Sequence, residues 1–262
     1  MSATETKVHF TEDAGLAVIT LDNPPLNQIG EPLISDLTAA IDQVEGAQGL
    51  RALLLRGGGD VFSAGAEVEL FVGRGAEEMR PLVASFLDLG RRVEALAFPT
   101  IAAVHGICMA GGLELALFCD LIWAAEGTAV GLPESSLGIV PLAGGIERVA
   151  ARAGLGRART IALGGRLHTA EEFAAWGIID RVLSATDLHA EAEKFARKLA
   201  DGPTLAYAAV KEIARAYTRD GIQGADARLL DEAVRLFDTR DAREGIKTFL
   251  TSGPGHATYH GE

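Results

Sequence analysis

Apolar positions follow two alternating rhythms along this chain, and their order predicts an α/β core. Short runs rich in Leu, Ile, Val and Ala at Leu16–Leu21, 52–55, Thr100–Val104 and Leu121–Ala125 read as strands. Helical patterns lie between them. The first opens near Glu31 and runs toward Val44. The clearest covers 81–97, where Leu82, Phe86, Leu89, Val93 and Leu96 recur at steps of four and three along one face. Pro81 suits the first turn of that helix. Phe98-Pro99 ends it, because the residue before proline avoids the helical region.

After Gly177 the rhythm changes. One last strand-like run at 178–182 is followed only by helical patterns, the long ones at 187–200, 204–217 and 226–237. In the last, Ala227, Leu230, Val234 and Phe237 form a stripe. The pattern divides the chain into a core over 1–199 and a helical region over 200–262. The apolar stripes of that region either fold back on the core or pack against another subunit. No sequence repeat stands out.

Composition narrows the function classes. The chain has 262 residues, 48% of them hydrophobic, enough for one large core. A formal net charge of -12 argues against a nucleic-acid partner, since binding a phosphate backbone requires clustered Lys and Arg. The amino terminus, MSATETKVHF, lacks the basic flank and apolar stretch of a signal peptide. No apolar run approaches the ~18 residues of a membrane span, so a cytoplasmic protein without membrane association is expected. Cys108 and Cys119 sit in apolar runs at a spacing that fits no metal or redox motif, and both read as small buried hydrophobes. No GxGxxG, Walker loop, HExxH or CxxC is present, so motif-based metal and nucleotide readings fall away.

Three segments carry candidate chemistry. The first, Phe62-Ser63-Ala64-Gly65-Ala66-Glu67, is made of small residues whose backbone amides a ligand can approach closely. Alone it reads as a plain strand-to-helix turn. In the second, His105 to Asp120, Gly111-Gly112 follows an apolar strand and opens an apolar helix, leaving free amides at the helix start. Glu114 is the one charge among the hydrophobes that follow. A carboxylate buried there needs a polar pocket or a raised pKa, the condition that makes Glu useful near neutral pH, and an exposed helix edge is the ordinary alternative. The third runs from Val130 to Pro141 and on to Gly144-Gly145. Its Pro133-Glu134 is a common helix opening, so Glu134 taken singly reads as a helix-start residue. His105, at a strand end with no nucleophile elbow, reads as a hydrogen-bonded structural histidine.

Together these segments resemble the signature of the crotonase, or enoyl-CoA hydratase/isomerase, superfamily over nearly the whole chain. Phe62 to Glu67 is similar to its F-x-A-G-A-D, His105 to Asp120 to its H/N-G-x-x-x-G-G-G-x-E-L-A-x-x-C-D, and Pro133 to Gly145 to its P-E-x-x-L-G-x-x-P-x-x-G-G. The resemblance implies a spiral core of ββα units and a carboxyl-terminal helical region that builds homotrimers, often paired into hexamers. It implies an oxyanion hole from the backbone amides of Ala66 and Gly111. Ala64 to Val68, thus Ala64, Ala66, Glu67 and Val68, together with Leu26 and Gly111, would contact the substrate. Glu114 and Glu134 match the two carboxylates that hold a water in true hydratases.

The implied activity is reversible addition of water to a 2-trans-enoyl-CoA, with no metal and no cofactor beyond the coenzyme A of the acyl-CoA substrate. Two carboxylates suit hydration, which needs one group to take a proton from water and one to supply a proton to carbon. Double-bond isomerisation, which needs one base, is the alternative within the family. A catalytically silent acyl-thioester- or RNA-binding member is the alternative outside catalysis. Departures from the pattern bear on the ligand. Ala110 replaces the first glycine of the triple, Glu67 stands for Asp, and Glu69 stands where hydratases often carry Lys. Residues 23–27 and 251–255 lack the usual basic contacts to coenzyme A, which keeps an acyl-carrier-protein thioester open as the substrate.

Overall fold

The computed structural model describes residues 6–262. A hairpin of β1 (Val8–Asp13) and β2 (Leu16–Leu21) opens the chain, closed by Ala14 and Gly15, both at positive φ. A two-residue turn with this twist matches the twist of the strands it joins. α1 (Glu31–Gly46), β3 (Ala52–Gly57), α2 (Ala76–Ala95) and β4 (Thr100–Val104) follow. Next come β5 (Ile107–Met109), α3 (Gly111–Leu117), β6 (Leu121–Ala125), β7 (Ala129–Gly131) and α4 (Gly145–Gly164). β8 (His168–Thr169), α5 (Ala170–Ala175), β9 (Arg181–Leu183), α6 (Leu188–Ala200), α7 (Thr204–Leu236) and α8 (Arg240–Ser252) complete it.

The strands form a six-stranded sheet, β1-β2-β3-β4-β6-β9, and a three-stranded one, β5-β7-β8. After β3 the chain pairs Ser63 beside Cys108 of β5, then forms α2. After β4 it forms β5, then α3. After β6 it forms β7. Each pass thus contributes a long strand to one sheet and a short strand, or in the first pass a single bridge, beside the other, which is the expected spiral of ββα units. The central strands β2, β3, β4 and β6 of the large sheet are buried on both faces, which explains why they read as continuous apolar runs. Leu53, Leu55, Ala102, Val104, Ile122 and Ala124 face the main core, while Leu54, Ile101, Ala103 and Trp123 face α6. α6 meets them through Leu188, Ala192, Ala196 and Ala200, one small-residue face that lets helix and sheet approach closely.

Two sequence expectations shift. α2 begins at Ala76, so Pro81 falls inside the helix and not in its first turn. The start lies upstream because Glu78 accepts the Gly75 amide at 2.8 Å and caps the helix there. The carbonyl that Pro81 leaves without a donor belongs to Glu77, which is exposed. The last strand is Arg181–Leu183 and not 178–182. Ladder pairing starts late because the Asp180 carboxylate takes the Ile122 amide at 2.7 Å, while Ile178 and Ile179 turn into the core. The expected helices at 204–217 and 226–237 are both present within α7, separated by a kink at Gly221, whose φ of 68 and ψ of -163 are not helical.

The stripe on α7 is solvent-facing in the single chain: Leu230, Val234 and Phe237 are exposed by 58 to 68%. No helix among the described residues is long and apolar enough to cross a membrane.

Candidate active site

The first segment is held in place by side chains buried beneath it. Asn27, at positive φ, donates to the carbonyls of Gly58 at 2.9 Å and Val61 at 2.8 Å. Ser63 donates to Asn27 O at 2.7 Å and accepts the Gly65 amide at 3.2 Å. Ile29 then binds both neighbours of Ala66, donating to Gly65 O at 2.8 Å and accepting from Glu67 N at 3.1 Å. That bridge turns the Ala66 amide away from Ile29. Gly112 brings α3 up against this loop, for a Cβ on it would lie 2.6 Å from Ser63 O. A Cβ on Gly111 would lie 3.8 Å from the Ala66 nitrogen, so the two peptides converge. Among the described residues neither amide meets an acceptor in the chain. Two such preset donors are of the kind that can take up a negative charge developing on a bound oxygen.

Glu114 lies one turn further along α3, a helix buried throughout. Its Oε1 accepts the amides of Ala143 at 2.7 Å and Gly145 at 2.8 Å. Burial raises its pKa, and these amides, which favour the charged form, oppose the rise. Glu134 opens a short 3-10 turn, Glu134–Leu137, and is also buried. The helix-start reading therefore holds, and the side chain is buried as well. Burial first, and the charge of Glu114 as well, push its pKa up to about 7. Its buried Oε2 has no hydrogen-bond partner in the protein.

Both carboxylates line one cavity of about 360 Å³. Ala64, Ala66 and Val68 border it, and Ile29, Phe86, Met109 and Leu142 give it an apolar wall. Gly111 is not in the wall, where its neighbour Ala110 stands. Leu26 and Glu67 are not in the wall. Leu26 supports the loop by accepting the Ala64 amide at 2.9 Å, and the Glu67 carboxylate lies against Gly30 at the start of α1. Among the described residues no cluster of three His, Cys, Asp or Glu is arranged to hold a metal.

Several contributors escape a reading of the sequence. The sequence marks Asn27 only as part of the 23–27 stretch and Phe86 only as an apolar position on its helix face, and it gives Ile29 no role. The amides that hold Glu114 come from Gly144-Gly145 territory, which the third motif marks without revealing its target. His105 donates through Nε2 to Gly59 O at 3.0 Å and stacks edge-on to His189, in keeping with a structural role. Cys108 and Cys119 are buried, and burial pushes both thiols up, Cys119 to about 12.

Comparison with known proteins gives concordant matches. The profile of the family described as enoyl-CoA hydratase/isomerase matches residues 11–256. A Bacillus subtilis (strain 168) protein named "Probable enoyl-CoA hydratase" is 32% identical over 248 residues, 93% of this chain and 95% of its own length. The carnitinyl-CoA dehydratase of Salmonella typhi is 33% identical over 247 residues, 92% of this chain and 94% of its own length. The crystal structure of an enoyl-CoA hydratase from Bacillus anthracis superposes with a TM-score of 0.91 at 28% identity, covering 98% of this chain and 100% of that one.

Proposed function

The chain belongs to the enoyl-CoA hydratase/isomerase family, and from that membership we propose that it is an enoyl-CoA hydratase, adding water reversibly and syn to a 2-trans-enoyl-CoA to give a 3-hydroxyacyl-CoA. One observation carries the reading: two buried glutamates face the same apolar cavity beside two unengaged amides.

The thioester oxygen accepts from the Ala66 and Gly111 amides, which stabilise the negative charge that develops there when water attacks C3. A donor in such a site contributes about 3 kcal/mol to the transition state. Glu114, held toward its ionised form by the Ala143 and Gly145 amides, takes the proton from the attacking water. Glu134, with its pKa near 7, keeps its proton in neutral solution more readily than an ordinary carboxyl and delivers it to C2. The C3–O bond forms, the double-bond electrons pass to C2 through the enolate, and one proton is taken up as another is released. Coenzyme A enters as part of the substrate, and no further cofactor has a step.

The exposed stripe on α7 supports self-association, and we propose a homotrimer or a pair of trimers.

The test is to mix the purified protein with crotonyl-CoA and with longer-chain and aryl enoyl-CoA thioesters, following loss of the conjugated thioester absorbance. Turnover to the 3-hydroxyacyl product is expected. No turnover with any of them, or consumption of a 3-enoyl-CoA without a hydroxy product, overturns the hydratase reading.

A further inference from the structure

The turn that holds Glu114 is itself held. Arg148, in the first turns of α4, donates through Nη1 to the carbonyls of Ala143 at 3.1 Å and Gly144 at 3.3 Å. These carbonyls belong to the short stretch whose amides bind Glu114 Oε1. The other edge of the guanidinium makes a two-point contact with Glu94 near the end of α2, Nε to Oε1 at 2.7 Å and Nη2 to Oε2 at 2.9 Å. Its carbon lies 4.9 Å from the centre of the Phe118 ring, and Phe118 packs edge-on against Phe86 of the cavity wall. The carbonyl of Glu94 accepts in turn from Arg215 of α7.

Two adjacent glycines make this possible. Gly144, at φ 88, leaves the space that the Arg148 guanidinium occupies, since a Cβ there would collide with Nη1. Gly145 leaves the space for Glu114, since a Cβ there would lie 3.0 Å from Glu114 Cγ. The turn is thus gripped on one side by an arginine and grips the carboxylate on the other.

We propose that Arg148, seated by Glu94, is a positioning residue for catalysis: it fixes the Ala143–Gly145 turn so that its two amides hold Glu114 in the orientation that accepts the proton of water. The inference rests on the assignment of Glu114 as the base. Arg148 does not line the cavity, so its removal acts on the chemical step and leaves acyl-thioester binding in place. A planar, five-donor group is required, because lysine cannot span a carboxylate and two carbonyls together.

Arg148→Met, Arg148→Lys and Glu94→Gln are to be compared with the wild type by steady-state kinetics across pH and by hydrogen exchange over 140–150. For Arg148→Met, kcat falls about 10²-fold, the loss expected when a reacting group is misplaced by about 1 Å, while KM stays within about threefold. The acid limb of the kcat profile moves to higher pH, because a carboxylate that loses amide donors ionises less readily. Arg148→Lys recovers part of the loss. The amides of Ala143 and Gly145 exchange faster while those later in α4 do not.

Glu94 is partly exposed, and Glu94→Gln gives the same pattern in weaker form should Arg148→Met not fold. Unchanged exchange at 143–145, kcat within twofold of wild type, or a rise in KM with kcat unchanged each overturn the proposal. If the wild type turns over no enoyl-CoA, the hydratase reading fails by itself, and the exchange measurement still decides whether Arg148 and Glu94 hold the turn on Glu114.

Discussion

Gly145 and Glu114 are fitted to one another: the Gly145 amide reaches Glu114 Oε1 at 2.8 Å, and a Cβ at residue 145 would stand 3.0 Å from Glu114 Cγ. The donor sits at this distance only because the residue has no side chain. Gly145→Ala therefore displaces the carboxylate by a few tenths of an ångström or lengthens the hydrogen bond. We expect kcat for enoyl-CoA hydration to fall about tenfold or more with the fold intact by circular dichroism. Activity equal to wild type shows that the contact has no bearing on the chemistry.

Removing either carboxylate is a larger change. Glu114→Gln and Glu134→Gln each keep the shape of the cavity but abolish proton transfer at that position. Each is expected to lower kcat by about 10² to 10⁴-fold, with acyl-CoA binding by calorimetry little altered. A fully active Glu134→Gln variant is incompatible with the two-carboxylate mechanism.

Glu134 also predicts a pH dependence. Its pKa rises from 4.5 to about 7, mainly through burial. A carboxyl group that binds its proton more tightly in the folded state leaves stability untouched at pH below its unfolded value. It weakens the fold progressively as pH climbs through 4.5 to about 7, and no further above that. Glu134→Gln escapes this loss, so its melting temperature should exceed that of wild type by more at pH 8 than at pH 4. In hydration, kcat/KM of the wild type should decline above about pH 7 as the proton that Glu134 delivers is lost. A flat profile from pH 6 to 9 contradicts the assignment.

Ala110 is held at φ 51 and ψ -129, a conformation natural to glycine. It caps α3 where the family pattern has glycine, and its methyl group borders the cavity. The strain for a residue with a side chain is about 1–3 kcal/mol, offset in part by the greater freedom that glycine has in the unfolded chain. Ala110→Gly should therefore stabilise the protein by about 1 kcal/mol in thermal denaturation, and should improve kcat/KM for bulkier acyl groups. A lower melting temperature would show that the methyl group makes packing contacts worth more than the strain.

Leu230, Val234 and Phe237 leave a continuous apolar stripe exposed on α7. Sedimentation should find three or six chains together, and Phe237→Glu or Val234→Glu should shift the distribution toward single chains by placing a charge in the contact. A wild-type monomer at micromolar concentration removes the proposed trimer.

β2, β3, β4 and β6 of the large sheet were legible in the sequence because both of their faces are buried, which makes their apolar runs continuous and local in origin. α6 and the face of α2 were legible for the same reason, since helical periodicity needs only neighbours in the chain. β1 was not, because Val8–Asp13 is an edge strand with mostly partly buried and exposed residues. β5, β7 and β8 are two or three residues long and leave no periodic trace.

At the site the same division holds. The sequence determined which residues have the right chemistry: small residues at 64–66, free amides at Gly111, and carboxylates at Glu114 and Glu134 inside apolar stretches. It also determined the family likeness, because these groups recur in order at characteristic spacings. Only the tertiary structure decided that the Ala66 and Gly111 amides converge, that Glu134 turns inward, and that Leu26 and Glu67 stand behind the wall. It alone joined Glu114 to amides 29 and 31 residues away, and the turn carrying them to Arg148 and Glu94. Periodicity and capping are encoded by neighbours along the chain. Convergence depends on the register of strands and on the close approach of backbones that glycines permit, and these exist only when the whole spiral has closed.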